Sequence, residues 1–153
     1  MSFRSYRICK AKYAKTPFDG EGSRRSGGRW NSVGVPIVYT SQSASLAALE
    51  LLVHIDSAAL ILKYKVIDVE IQQRCVHEIE PSLLPKGWNA TPALKETAGF
   101  GDDWVAGLVS AVLKVPSAVV ESEYNYLINP LHPDFKLLTI GKLVDFVFDT
   151  RLK

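Results

Sequence analysis

The sequence predicts a single α+β domain spanning residues 1–153, with mixed or antiparallel sheets and flanking helices. Three observations predict it. The chain has 153 residues and is 47% hydrophobic, enough for one core and too short for a second sizeable domain. Short strand-like runs outnumber helical ones along the chain, and they do not alternate regularly with helices as a parallel α/β fold would require. No internal repeat, low-complexity tract or run of about 20 apolar residues interrupts the pattern.

Residues 3–9 read as a strand. Residues 16–34 carry Gly20, Gly22, Gly27, Gly28 and Gly34 interleaved with Arg24, Arg25 and Arg29, and they show neither helical nor strand period. A long loop is expected there, and loops of that length in a compact domain usually carry function. Residues 35–40 are apolar and β-branched, so a strand follows, with Pro36 near its start. Ser41, Ser43 and Ser45 offer N-cap oxygens ahead of residues 45–55, a breaker-free Leu/Ala-rich run that reads as a largely buried helix. Residues 60–71 end in a period of two, Ile67, Val69 and Ile71 against Asp68 and Glu70, which marks a half-buried strand. Residues 81–99 read as loop. Gly101 or Asp102 is expected to cap a helix presenting Trp104, Leu108, Ala111 and Val112. Strand-like runs at 117–120, 124–128, 137–140 and 143–148 complete the chain.

Composition narrows the function classes. A formal net charge of +2 gives no basic footprint for nucleic acid, which counts against an RNase-type enzyme. Cys9 and Cys75 lie far apart without CxxC spacing, so neither a disulfide framework nor a zinc knuckle is expected. A reduced cytoplasmic setting is the simpler expectation, with no metal and no membrane partner.

Three places depart from a bland core. In Gly27-Gly28-Arg29-Trp30-Asn31-Ser32 the paired glycines permit close backbone approach, Arg29 offers a planar fork for phosphate or carboxylate, and Trp30 could stack or fill the core. The glycines do not spell a dinucleotide fingerprint or a P-loop. Glu50 is a carboxylate among Leu46, Ala47, Val53 and His54 on the helix, and such a group must be ion-paired, protonated or facing a binding site. An ion pair with His54 or an arginine is the plain structural alternative. Ser117, Asn125 and Asn129 are small polar groups in apolar strands, able to contact a ligand or satisfy turns; Asn129, before Pro130, reads better as a turn residue. Ser117 is not in G-x-S-x-G, so a nucleophile-elbow hydrolase is disfavoured. Tyr39 is a core residue with a wet hydroxyl or a ligand contact.

The ordered motifs resemble the RES domain. They run through Tyr6-Arg7-Ile8, Gly20-x-Gly22, Gly27-Gly28-Arg29-Trp30-Asn31-Ser32-x-Gly34, Val38-Tyr39-Thr40, Ser45-Leu46-Ala47-Ala48-Leu49-Glu50, Gly101-Asp102-x-Trp104, Val115-Pro116-Ser117 and Asn125-Tyr126-Leu127-Ile128-Asn129-Pro130. The resemblance covers essentially the whole chain. It implies an ADP-ribosyltransferase-like fold and a toxin paired with an Xre-type helix-turn-helix antitoxin in a higher-order complex, touching DNA only through that antitoxin. It implies consumption of NAD⁺ as substrate, by hydrolysis or phosphorolysis, or alternatively mono-ADP-ribosylation of a protein. The Arg, Glu and Ser of the family name map to Arg29, Glu50 and Ser117. By the same analogy Arg29, Tyr39 and Glu50 are the expected catalytic residues, and Arg7, Arg29, Trp30, Tyr39, Ser117 and Asn129 the expected NAD⁺ contacts. A non-catalytic inhibitory binding module is the rival reading.

Overall fold

The computed structural model describes residues 1–153. Seven strands form one sheet: β1 (Ser2–Lys10), β2 (Val38–Ser41), β3 (Tyr64–Gln72), β4 (Val76–Glu78), β5 (Val112–Pro116), β6 (Tyr124–Ile128) and β7 (Thr139–Phe146). Their spatial order is β4-β5-β6-β2-β1-β3-β7. Only β4 and β5 pair parallel; every other neighbouring pair is antiparallel. This is the mixed-sheet α+β architecture that the strand-rich pattern predicts. The ladder is thinnest at its centre, where β1 and β2 share the single register pair Tyr6↔Ser41, and the β3–β7 register shifts between Ile67 and Val69.

Three helices accompany the sheet: α1 (Glu21–Ser26), α2 (Ala44–Leu52) and α3 (Lys95–Ala106). Side chains alternate across each strand, so the register sorts them onto two faces. One face carries Ile8, Tyr39, Leu113, Val115 and Leu127 and is covered by α2 and α3 with Trp30. The other is an apolar cluster of Cys9, Val38, Ile67, Val69, Ile71, Val112 and Ile128, sealed by Ala14, Phe18, Cys75 and Leu138. Both cysteines are free and buried there, and burial raises both thiols above their ordinary range.

The structure corrects several boundaries. Residues 16–34 contain a helix, α1. Asp19 accepts from the Glu21 N–H (2.9 Å), and Glu21 pairs with Arg24 (2.6 Å) and Arg25 (2.9 Å) one turn on. Polar side-chain links of this kind leave no apolar period to read. The strand expected from residue 35 begins at Val38, because Asn31 takes the Val35 carbonyl and Ser23 engages Ile37 before the ladder starts. The Leu/Ala-rich helix is capped by Ser43 as expected (Leu46 N–H to Oγ, 3.0 Å) but is not largely buried, since Leu49 and Val53 are 39% and 57% exposed. The third helix starts seven residues earlier than Asp102 and ends at Ala106, so Ala111 and Val112 belong to the sheet side of the turn rather than to the helix. Residues 117–120 follow β5 as a turn, and the two runs at 137–148 merge into one strand, β7.

Candidate active site

Glu50, Ser117 and Tyr39 lie on the sheet face that α2 and α3 cover. Glu50 sits on the second turn of α2, half-buried, and accepts a hydrogen bond from Ser117 Oγ at 2.7 Å. It takes part in no ion pair, so the structural alternative with His54 or an arginine is not what holds it. Ser117 is fully buried just past β5. Its oxygen also accepts the N–H groups of Val119 and Val120, both at 3.0 Å. A serine so engaged has its one proton committed to the carboxylate. Its geometry is that of a residue that orients Glu50.

Arg29, half-buried, donates from Nη1 to the carbonyls of Trp88 (2.9 Å) and Ala90 (2.6 Å). It therefore braces the 85–90 segment and has no carboxylate partner. Asn89 ties the same segment to Glu121 at 2.7 Å, beside the turn that follows Ser117.

Tyr39 on β2 is anchored through its hydroxyl, which donates to Asn31 Oδ1 (2.5 Å) and accepts the Trp30 N–H (3.1 Å). Burial pushes this phenol well above its ordinary range. The Asp102 and Glu50 carboxylates push the same way, and the Trp30 N–H and the Arg29 guanidinium oppose them. The charges of Arg29, Glu50 and Asp102 thus all act on the Tyr39 hydroxyl.

Arg7 differs. By strand alternation it leaves β1 on the side of Cys9 and Ile67, opposite to Ile8, and its Nη1 reaches the Tyr39 carbonyl at 3.3 Å. The guanidinium thus occupies the narrow β1–β2 junction. Its Nε is enclosed without a hydrogen-bond partner, and burial lowers its pKa below the ordinary arginine range.

Two expected contacts lie elsewhere. Trp30 is only 2% exposed and packs between Trp88 and Phe100, so it is a core aromatic and not an open stacking surface. Asn129 is fully buried and spends its amide on the Val105 carbonyl and the Leu131 N–H, which is the turn role its place before Pro130 suggests. Sequence reasoning assigned no role to Asn31 or to Asp102 as the acceptor of the Ser32 N–H (2.8 Å), and Ser41 and Asn125, read as a cap and as a ligand or turn contact, instead pair with each other in the interior (2.7 Å). The signal for Asn31 was an asparagine between a core tryptophan and a serine in a glycine-rich turn. The partners of Arg29 are carbonyls, which every residue possesses, so no side chain advertised them. No group of three metal-ligating side chains converges, and no helix is long and apolar enough to cross a membrane.

Known proteins resemble this chain in sequence and in fold. The RES domain family matches residues 4–149. The "Prs ADP-ribosylating toxin" of a Sphingobium strain is 39% identical over 143 residues, covering 92% of this chain and 89% of that protein. A protein named "Toxin Res" from Photorhabdus laumondii is 36% identical, covering 96% of this chain and 95% of its own length. Among solved structures, the M. tuberculosis MbcT–MbcA toxin–antitoxin complex contains a similar fold, with a TM-score of 0.75 at 20% identity over 99% of this chain and 87% of that one. A family match over nearly the full length, with relatives of this identity, makes the chain a member of the RES-domain toxin family.

Proposed function

We propose that this chain is a toxin that binds NAD⁺ and cleaves its nicotinamide–ribose bond. The observation that carries the reading is Glu50, a half-buried carboxylate with no cationic partner, fixed by one hydroxyl donor at 2.7 Å beside Tyr39 and Arg29. Loss of nicotinamide leaves an oxocarbenium-like ribose. A fixed carboxylate stabilises that cation more than it stabilises the ground state, which is what accelerates the step. Glu50 holds the ribose hydroxyls and the developing charge, while Ser117 keeps its carboxylate aimed. Arg29 turns its fork from the Trp88 and Ala90 carbonyls toward the pyrophosphate. Arg7 assists from the β1–β2 junction, where its Nε has no hydrogen-bond partner. Tyr39 meets the nicotinamide riboside end. Trp30 and Asn129 act behind these groups, as packing and turn.

The ADP-ribosyl cation passes to water or phosphate. Transfer to a protein side chain is the second reading, favoured by the name of the Sphingobium relative. An antitoxin is the expected partner, since a solved neighbour of the same fold is a toxin–antitoxin complex. In this reading it is of the Xre type, blocks the site in a higher-order assembly and alone contacts DNA, all in the cytoplasm.

The test is nicotinamide release from NAD⁺ by purified protein, with and without inorganic phosphate, followed by the mass of the ADP-ribose product. Glu50→Gln should lower release by at least roughly 100-fold while the protein stays folded. Full activity in that variant refutes the role of Glu50, and the absence of any NAD⁺ loss in the wild type refutes the reading altogether.

A further inference from the structure

We infer that Asn31 is the positioning residue of Tyr39, and that together with Gly28 it presents the tyrosine ring, not the hydroxyl, to the substrate. The inference rests on the NAD⁺-cleaving reading for what the ring meets, but the positioning itself stands on hydrogen-bond geometry alone.

Asn31 is 1% exposed. Its Nδ2 faces the carbonyls of Ser23 (2.9 Å), Val35 (2.9 Å) and Ser32 (3.3 Å). Carbonyls only accept, so the amide cannot be turned around: its NH₂ must lie on that side and its oxygen must face Tyr39. An oxygen facing a phenol leaves the phenol one choice, which is to donate. The Tyr39 proton is therefore committed to Asn31 Oδ1 at 2.5 Å, and one of its lone pairs takes the Trp30 N–H at 3.1 Å.

Gly28 borders the same hydroxyl. A Cβ at residue 28 would lie 2.7 Å from the Tyr39 hydroxyl oxygen and 2.8 Å from Asn31 Oδ1. The Gly28–Asn31 bridge (Gly28 N–H to Asn31 O, 2.9 Å) fixes that backbone against the hydroxyl. A tyrosine whose hydroxyl is enclosed on these sides neither gives nor takes a proton in the reaction. It acts through its ring, and the Gly28–Asn31 turn sets the ring's tilt.

The test uses the full chain, with KM and kcat for nicotinamide release read separately. Tyr39→Phe removes the anchor and keeps the ring, so kcat should stay within about threefold of wild type while KM rises about fivefold. Gly28→Ala pushes on the hydroxyl and should raise KM about tenfold with a smaller change in kcat. In Gly28→Ala/Tyr39→Phe the missing hydroxyl leaves room for the Asn31 oxygen to shift, so the double variant should bind no worse than Tyr39→Phe. Gly22→Ala, a glycine with nothing within 4 Å of its added carbon, is the control and should change neither constant. A kcat loss of about 100-fold in Tyr39→Phe at unchanged KM would overturn the inference, because the hydroxyl would then be doing chemistry. So would a Gly28→Ala penalty that persists in full without the hydroxyl.

A second measurement needs no turnover. The unfolding midpoints of Asn31→Ala, Tyr39→Phe and the pair should be non-additive, and additivity would remove the anchor. If wild type releases no nicotinamide, the function falls while this cycle still decides the positioning.

Discussion

Tyr39 and Glu50 share one neighbourhood, but the molecule holds them in opposite ways. Tyr39 is embedded in the 27–37 turn, where Asn31, Trp30 and Gly28 engage its hydroxyl and α3 presses from behind, with Asp102 on the Ser32 N–H. Glu50 stands on a partly exposed helix and depends on one donor, Ser117. The first region is rigid because its polar atoms are saturated, and disturbing it costs stability. The second keeps a carboxylate without a cationic partner, and on the proposed mechanism disturbing it costs chemistry. Substitutions should separate along this line, with Tm moving on one side and turnover on the other.

The largest stability effect is expected at Gly101. A Cβ there would lie 1.7 Å from the Trp30 carbonyl oxygen, so α3 must back away from the turn. Gly101→Ala should cost about 3 kcal/mol, at the upper end of overpacking penalties. In a chain of this length that is a fall in Tm of roughly 10 °C by calorimetry. Glu50→Gln should leave Tm within roughly 2 °C, since an amide oxygen still accepts from Ser117. If both variants melted alike, the contrast between the two regions would be gone.

Ser117→Ala comes next and sharpens the contrast, because this residue serves both sides. It removes the donor that aims Glu50 and orphans the N–H groups of Val119 and Val120. The unpaired groups should cost about 1–3 kcal/mol in denaturant unfolding. Turnover, corrected for folded fraction, should fall by roughly tenfold or more through misplacement of the carboxylate. A stability loss with turnover intact would leave Ser117 as a turn residue only.

What the sequence made legible follows the same physics. The strands could be read where one face is dry, as in the Ile67, Val69, Ile71 alternation. Glu50 could be read because a carboxylate in an apolar helix is costly without a purpose. Helix α1 was hidden because its support is polar, Glu21 on Arg24 and Arg25 and Ser23 on Ile37. The start of α3 was hidden because Gly99, Gly101 and Asp102 resemble a helix boundary, whereas Gly101 is there for the Trp30 carbonyl. Trp30 suggested a stacking surface because sequence cannot tell a buried indole from an open one. Asn31 carried only the weak signal of a polar residue in a glycine-rich turn, since its importance lies in which carbonyls surround it.

Arg29→Lys probes the hinge between the regions. The guanidinium reaches the Trp88 and Ala90 carbonyls through Nη1 alone, and an ammonium lacks the planar fork that would grip a pyrophosphate. KM for NAD⁺ should rise about tenfold with kcat less affected, and limited proteolysis within residues 85–94 should quicken. Unchanged KM would count against a phosphate contact. Unchanged cleavage would show that the segment is held without Arg29.

The smallest effect belongs to α1, at the margin of the saturated region. Hydrogen bonds from Arg24 and then Arg25 depress the Glu21 carboxyl from its ordinary 4.5 to about 2. Because the folded value lies below the unfolded one, the stabilisation is present above pH 4.5 and is lost as pH falls toward 2. All three side chains are solvent-exposed to a degree that lets salt screen them, so the effect is slight and shrinks with ionic strength. Wild type and Glu21→Gln should differ by a small margin in Tm at neutral pH and low salt, and the two curves should converge on the acid side. A difference that persisted at pH 2 would mean that Glu21 supports α1 through packing and not through charge. The margin of the turn would then be built like its centre.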